Sequence, residues 1–165
     1  MTIDTSAYQD MKKAHQDEFN AFSKEWCFYA FSDEQFAEGF KRLADRGLIT
    51  TDDDLRRFTM GGFIVKGKVP ELVSMTKRHE AELLEAMKGY DFALGAFKYE
   101  ADNHEFCINW QADWDTVQCF YDVEFREGAN GIDYLRDAGA CEDTIQAYKD
   151  AIRAHFAMAD EQGWY

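Results

Sequence analysis

Along most of the chain, apolar positions recur at steps of three and four, the spacing of a helix that buries one face. Tyr8, Met11, His15, Phe19 and Phe22 form such a face and predict a first helix over about residues 5–23. The next begins at Ser32, which can cap with Gln35 three residues on, while Phe31 and Phe36 can close a hydrophobic staple. Gly47 supplies its left-handed stop. Thr51 followed by DDDLRRF predicts a short third helix, its aspartates favoured at the positive end of the dipole. Pro70 suits a first helical turn, and ELVSMTKRHEAELLEAMK then continues to about residue 88, before Gly89. YDFALGAFKYEA predicts a further helix capped by Asp91, and DWDTVQCF and NGIDYLRDAG two short ones. A last helix, over about 142–161, aligns Ile145, Tyr148, Ile152, Phe156 and Ala159.

Two runs break this spacing. GGFIVKGKV is a short β-branched run between glycines and predicts a strand near 62–66. NHEFCIN predicts a second strand near 104–109, able to pair with FIVK. No repeat, low-complexity tract or Pro/Gly/Ser linker interrupts the chain, so residues 1–165 are expected to form a single domain. The fold class is α+β, mostly helical, with a small antiparallel sheet.

Composition adds size and compartment. A 165-residue chain can bury roughly 68–70% of its unfolded surface, enough for a core without staples. Fourteen Phe, eight Tyr and four Trp argue for a folded chain. No apolar run approaches the length of a membrane span, and MTIDTSAYQDMKKAH lacks an apolar leader core, so a cytoplasmic protein of a bacterial host cell is expected. Cys27, Cys107, Cys119 and Cys141 form no CxxC pair and read as free thiols.

Charge changes the picture more. Residues 1–98 carry 14 Lys/Arg against 17 Asp/Glu, a net of −3, whereas residues 99–165 carry 4 against 15, a net of −11. Between Tyr99 and Phe125 seven acids occur with no basic residue: Glu100, Asp102, Glu105, Asp113, Asp115, Asp122 and Glu124. An acidic protein of this kind is not expected to bind nucleic acid directly, because that needs a basic footprint. A generally acidic protein and a surface made for a basic partner both fit the pattern.

Candidate chemistry is sparse. GxxxxGK[ST] and the GxSxG elbow are absent, and the glycines of GGFIVKGK precede a strand, the wrong context for phosphate. His104 and Cys107, on a strand, would point to opposite faces. Asp102, His104 and Glu105 are the densest metal donors, but HExxH is absent, since position 108 is Ile, and no second ligand pair follows. No catalytic residue, metal or cofactor is therefore expected. Asn103-His104-Glu105 also reads as a helix-to-strand corner with Asn103 in the left-handed turn. Trp110 and Trp114, four apart, would face one way on a helix, either as core or as anchors rimmed by Asp113 and Asp115 for an arginine-rich partner.

FSDEQF, the GGF strand, the KRHE helix and YEADNHEF before Trp and acids occur here in that order. The chain resembles a group of small acidic proteins of phages and integrative elements of gut Clostridia, over most of residues 15–120, and among them the type II-A anti-CRISPR inhibitors of Cas9. Residues 121–165 match less well. The resemblance implies a non-enzymatic anti-defence protein and transfers no catalytic residue. Its acidic surface would act as a DNA mimic against the basic DNA-binding cleft of a guide-RNA-loaded Cas9-type nuclease, blocking DNA binding or cleavage. The contact residues expected are Glu100, Asp102, Glu105, Trp110, Asp113, Trp114, Asp115, Asp122 and Glu124. Two alternatives stand beside it: a mobile-element accessory protein binding another basic host protein, and a metal-dependent hydrolase centred on Asp102, His104 and Glu105. Aromatic faces such as Phe19/Phe22 and Ile152/Phe156 suit either core or a homodimer seam.

Overall fold

A computed structural model describes residues 3–164. The elements run α1 (Ser6–Trp26), β1 (Cys27–Tyr29), α2 (Asp33–Asp45), β2 (Leu55–Thr59), β3 (Gly62–Val65), α3 (Val69–Ala86), α4 (Tyr90–Asn103), α5 (Ala112–Gln118), α6 (Gly131–Asp137) and α7 (Glu142–Gln162). The fold is α+β and mostly helical, with one small antiparallel sheet. Two compact units are distinguishable: Lys13–His79, and the chain up to Lys12 together with Glu80 onward.

In the Lys13–His79 unit the sheet order is β1-β3-β2, with Cys27 opposite Ile64 and Leu55 opposite Val65. The β3 strand is the one the sequence predicts, but its partners differ from expectation. DDDLRRF does not continue as a helix. The Asp54 carboxylate accepts the backbone N–H groups of Thr50 (2.6 Å) and Thr51 (3.0 Å), closing one 3-10 turn at Asp52–Asp54. Leu55 is then extended, and LRRFT becomes β2. Gly61, at φ +69°, turns β2 into β3, and the Phe31 ring lies so close that a Cβ there would come within 2.6 Å of it. The predicted α2 cap is present: Ser32 Oγ accepts from Gln35 N–H at 3.3 Å, and Gln35 Oε1 from Phe31 N–H at 2.7 Å. Two clusters make the core, one around Phe22, Cys27, Ile64 and Met75, the other around Phe28, Leu43 and Ile49.

The second unit is helical. Ala93, Ala96, Phe97 and Ala101 of α4 are buried with Ile145, Tyr148, Ala151 and Ala159 of α7. Small residues let the two axes approach, and truncating the fully buried Phe97 to Ala would cost about 3–5 kcal/mol. The buried face of α7 is turned from the predicted one: Ala151 and His155 are inside, whereas Phe156 is exposed. The α4 helix is preceded by Gly89 rather than capped by Asp91.

The predicted strand at 104–109 does not form. Both edges of β3 are occupied by β1 and β2. The N–H groups of the 104–109 segment are used in turns instead: Phe106 bonds Ala101 O at 3.0 Å, and Ile108 and Asn109 bond Glu105 O at 2.9 and 3.1 Å. The left-handed residue ending α4 is Glu105 (φ +50°), not Asn103. Among the described residues no helix is long and apolar enough to cross a membrane.

Candidate functional site

The basic-free segment 99–125 forms the end of α4, a turn-rich loop, α5 and the chain beyond it. The structure divides its acids into those bonded within the fold and those facing water, and one expected contact residue, Glu100, needs correction.

Glu100 is 1% exposed. Its Oε1 accepts from Tyr8 OH (2.5 Å) and Lys12 Nζ (2.7 Å), and its Oε2 from Asn103 Nδ2 (3.3 Å). Burial alone would raise its pKa, but the hydrogen bonds from Lys12 and Tyr8 outweigh burial and hold the carboxyl below its ordinary value. The same pairing, with burial first, raises the pKa of Tyr8. Asp102 is partly exposed but also engaged within the unit. It accepts from Lys98 Nζ at 2.6 Å and faces His155 Nδ1 at 2.8 Å. The fully buried His155 accepts the Cys107 backbone N–H on Nε2 (3.1 Å), so Nδ1 carries the proton to Asp102. This Asp–His pair fastens the 104–109 loop to α7 and presents no free nitrogen to a substrate.

Asp113 Oδ1 accepts from Tyr148 OH (2.5 Å) and from Gly131 N–H (2.6 Å), joining α5 to the starts of α6 and the middle of α7. Gly131 is required there, since a Cβ would come within 2.0 Å of the Tyr148 hydroxyl. Asp115 accepts from Asn109 Nδ2 at 2.7 Å and Gln118 Nε2 at 3.1 Å. Glu100 is therefore interior, which overturns its place on an outward acidic face, whereas Asp102, Asp113 and Asp115 stay partly exposed while bonding donors of their own unit. Glu105, Asp122 and Glu124 are exposed and form no ion pair among the described residues.

Asp102, His104 and Glu105 do not converge. Asp102 faces His155, Glu105 faces water, and His104 Nε2 lies 3.4 Å from Cys119 Sγ and 3.7 Å from Glu100 Oε2. Cys119 is not a primed nucleophile. Burial and the Glu100 carboxylate push its thiol up to about 12. Glu100 and Cys119 also face the same ring nitrogen, so neither orients His104 for the other. Cys107 lies apart, and all four cysteines are free thiols.

Trp110 precedes α5, so it does not share a helix face with Trp114. Trp114 Nε1 donates to Val123 O at 2.9 Å and its ring is half-buried. Trp110 is 82% exposed. Phe125 joins the two, edge-on to Trp110 at 5.9 Å and to Trp114 at 5.8 Å between ring centres. Phe125 was absent from the expected contacts, although it ends the basic-free run. Beside it a groove of about 380 Å³ is lined by Asp122, Glu124, Phe125, Arg126, Tyr134 and Asp137, with Arg126 paired to Asp137 at 2.8 Å.

Fold and segment together define an acidic α+β protein with an exposed aromatic edge beside an acidic groove. The chain belongs to the family of unknown function DUF7659, whose model matches residues 7–154. No curated protein and no solved structure matches it.

Proposed function

We propose that this is a non-enzymatic binding protein that engages a basic partner protein through Trp110, Phe125, Asp122 and Glu124. The observation that carries the reading is the exposure of Trp110, at 82%, beside carboxylates with no internal partner. An exposed large ring beside a groove is suited to contact, and Trp is among the residue types most enriched at interface hot spots. An arginine can stack on Trp110 while its guanidinium bonds a carboxylate of the adjoining groove. The resemblance of FSDEQF, GGF and YEADNHEF makes a guide-RNA-loaded Cas9-type nuclease, in a bacterial cytoplasm, the specific partner in this reading. Another basic host protein is the alternative, since charge selects a sign and not an identity.

The test is retention of target DNA by a Cas9–guide complex in a gel shift, with this protein added at equimolar amount and at two salt concentrations. Loss of DNA binding that weakens at high salt supports the reading. Unchanged DNA binding together with unchanged cleavage removes the Cas9-type partner. Salt-sensitive retention of a basic host protein on immobilised chain, abolished by Trp110→Ala, then supports the broader reading, and its absence sinks that too.

A further inference from the structure

We propose that Glu100, His104 and Cys119 form a binding site for a zinc-class divalent cation. Among the described residues, these three bring one donor atom each to within 4.8 Å of one another. The donor set mixes thiolate, imidazole and carboxylate, which suits Zn²⁺ and disfavours Mg²⁺ or Ca²⁺. Separations agree with a shared ion. With Zn–S near ~2.3 Å and Zn–N near ~2.0 Å, tetrahedral ligands stand about 3.5 Å apart. His104 Nε2 is 3.4 Å from Cys119 Sγ and 3.7 Å from Glu100 Oε2.

The surroundings prepare the ligands. Tyr8 and Lys12 hold Oε1 of Glu100, which turns Oε2 toward His104, and Asn103 steadies that oxygen at 3.3 Å. Lys12 lies on the far oxygen and its side chain is 51% exposed, so its charge is partly in water. The Cys119 S–H donates to Asp115 O at 3.2 Å, and this proton leaves to solvent when sulfur binds the ion. The His104 side chain is 28% exposed, giving the ion an entry path. His104 and Glu100 come from one helical turn and Cys119 from the end of α5, so the ion would tie α4 to α5. The inference is independent of the partner-binding reading.

The experiment titrates chelator-stripped full-length protein with Co²⁺ and then displaces it with Zn²⁺. The expected result is one equivalent of Co²⁺ with a thiolate-to-cobalt charge-transfer band, bleached by Zn²⁺. Cys119→Ser abolishes the band, whereas Cys107→Ser and Cys141→Ser keep it. His104→Gln removes a direct ligand and weakens Zn²⁺ by more than the roughly 10–100-fold that losing an outer-shell partner costs. Absence of a thiolate band in the unaltered protein overturns the proposal without recourse to any variant. A band that persists in Cys119→Ser overturns it as well.

Discussion

Glu100, Asp102, Asp113 and Asp115 on one side, and Asp122 and Glu124 on the other, are the same chemical groups in one acidic run, yet they do opposite things. The first set accepts hydrogen bonds from Tyr8, Lys12, His155, Tyr148 and Gly131, with Glu100 fully buried and the other three partly exposed. The second faces water beside an exposed aromatic edge. A carboxylate goes inside only where enough donors replace its water, because burying a charge unpaired is far more costly than leaving it solvated. Counting acids along a chain therefore measures composition, and donor supply decides which of them form a surface.

The largest break in the comparison should come at Glu100. Glu100→Ala leaves the Tyr8 hydroxyl buried and the Lys12 ammonium without its partner, and should cost about 2–4 kcal/mol in denaturant unfolding. Glu100→Gln keeps the shape and should cost less. A loss as small as that of an exposed acid would show that the carboxylate is not held inside.

Acid titration tests the same group by sign. Its pKa is depressed in the fold below the ordinary 4.5, so the unfolded chain binds the proton more readily at acid pH. The stabilisation is present above the unfolded value and is lost as pH falls through 4.5 and on through the folded value. Stability measured from pH 6 downward should fall less steeply in Glu100→Gln than in the unaltered protein. Equal slopes would mean that other carboxylates dominate.

Next in size is Asp113. Asp113→Ala strands the Tyr148 hydroxyl and the Gly131 N–H, and should cost about 1–3 kcal/mol. Asp113→Asn retains an acceptor oxygen and should recover part of this, as read by the unfolding midpoint. Reversing Asp113 or Asp115 to Lys would therefore report folding before it reported any partner.

The helical part of the fold was legible because its signal is local. Apolar stripes at helical spacing, the Ser32–Gln35 cap and the Gly47 stop depend on neighbours in sequence. The second strand was misplaced because β pairing is not local. NHEFCIN has strand-like composition, but its N–H groups close turns on Ala101 and Glu105. LRRF follows three aspartates that suggest a helix start, yet the Asp54 carboxylate closes that turn after three residues. The site was half legible. Trp110 and the exposed acids were marked by type, whereas the capture of Glu100 by Lys12, 88 positions away, leaves no trace in spacing. The partners of His155 were hidden for a related reason: an imidazole enters the core only when both nitrogens are satisfied, here by Asp102 and the Cys107 N–H.

The smallest effects on stability should come from the outward set, and there the two roles separate most cleanly. Trp110→Ala removes a mostly solvated ring, and Asp122→Lys with Glu124→Lys changes charges that hold nothing in place. Each variant should melt within about 2 °C of the unaltered protein. Their effect on a basic partner should be larger and of two kinds. Charge reversal should flatten the salt dependence of binding, because fewer counter-charges are exchanged. Losing the ring should weaken binding about equally at every salt concentration, because an anchor acts through buried area and stacking. If both variants instead lose stability as Glu100→Ala does, Trp110, Asp122 and Glu124 belong to the internally bonded set and the acidic run has no outward half.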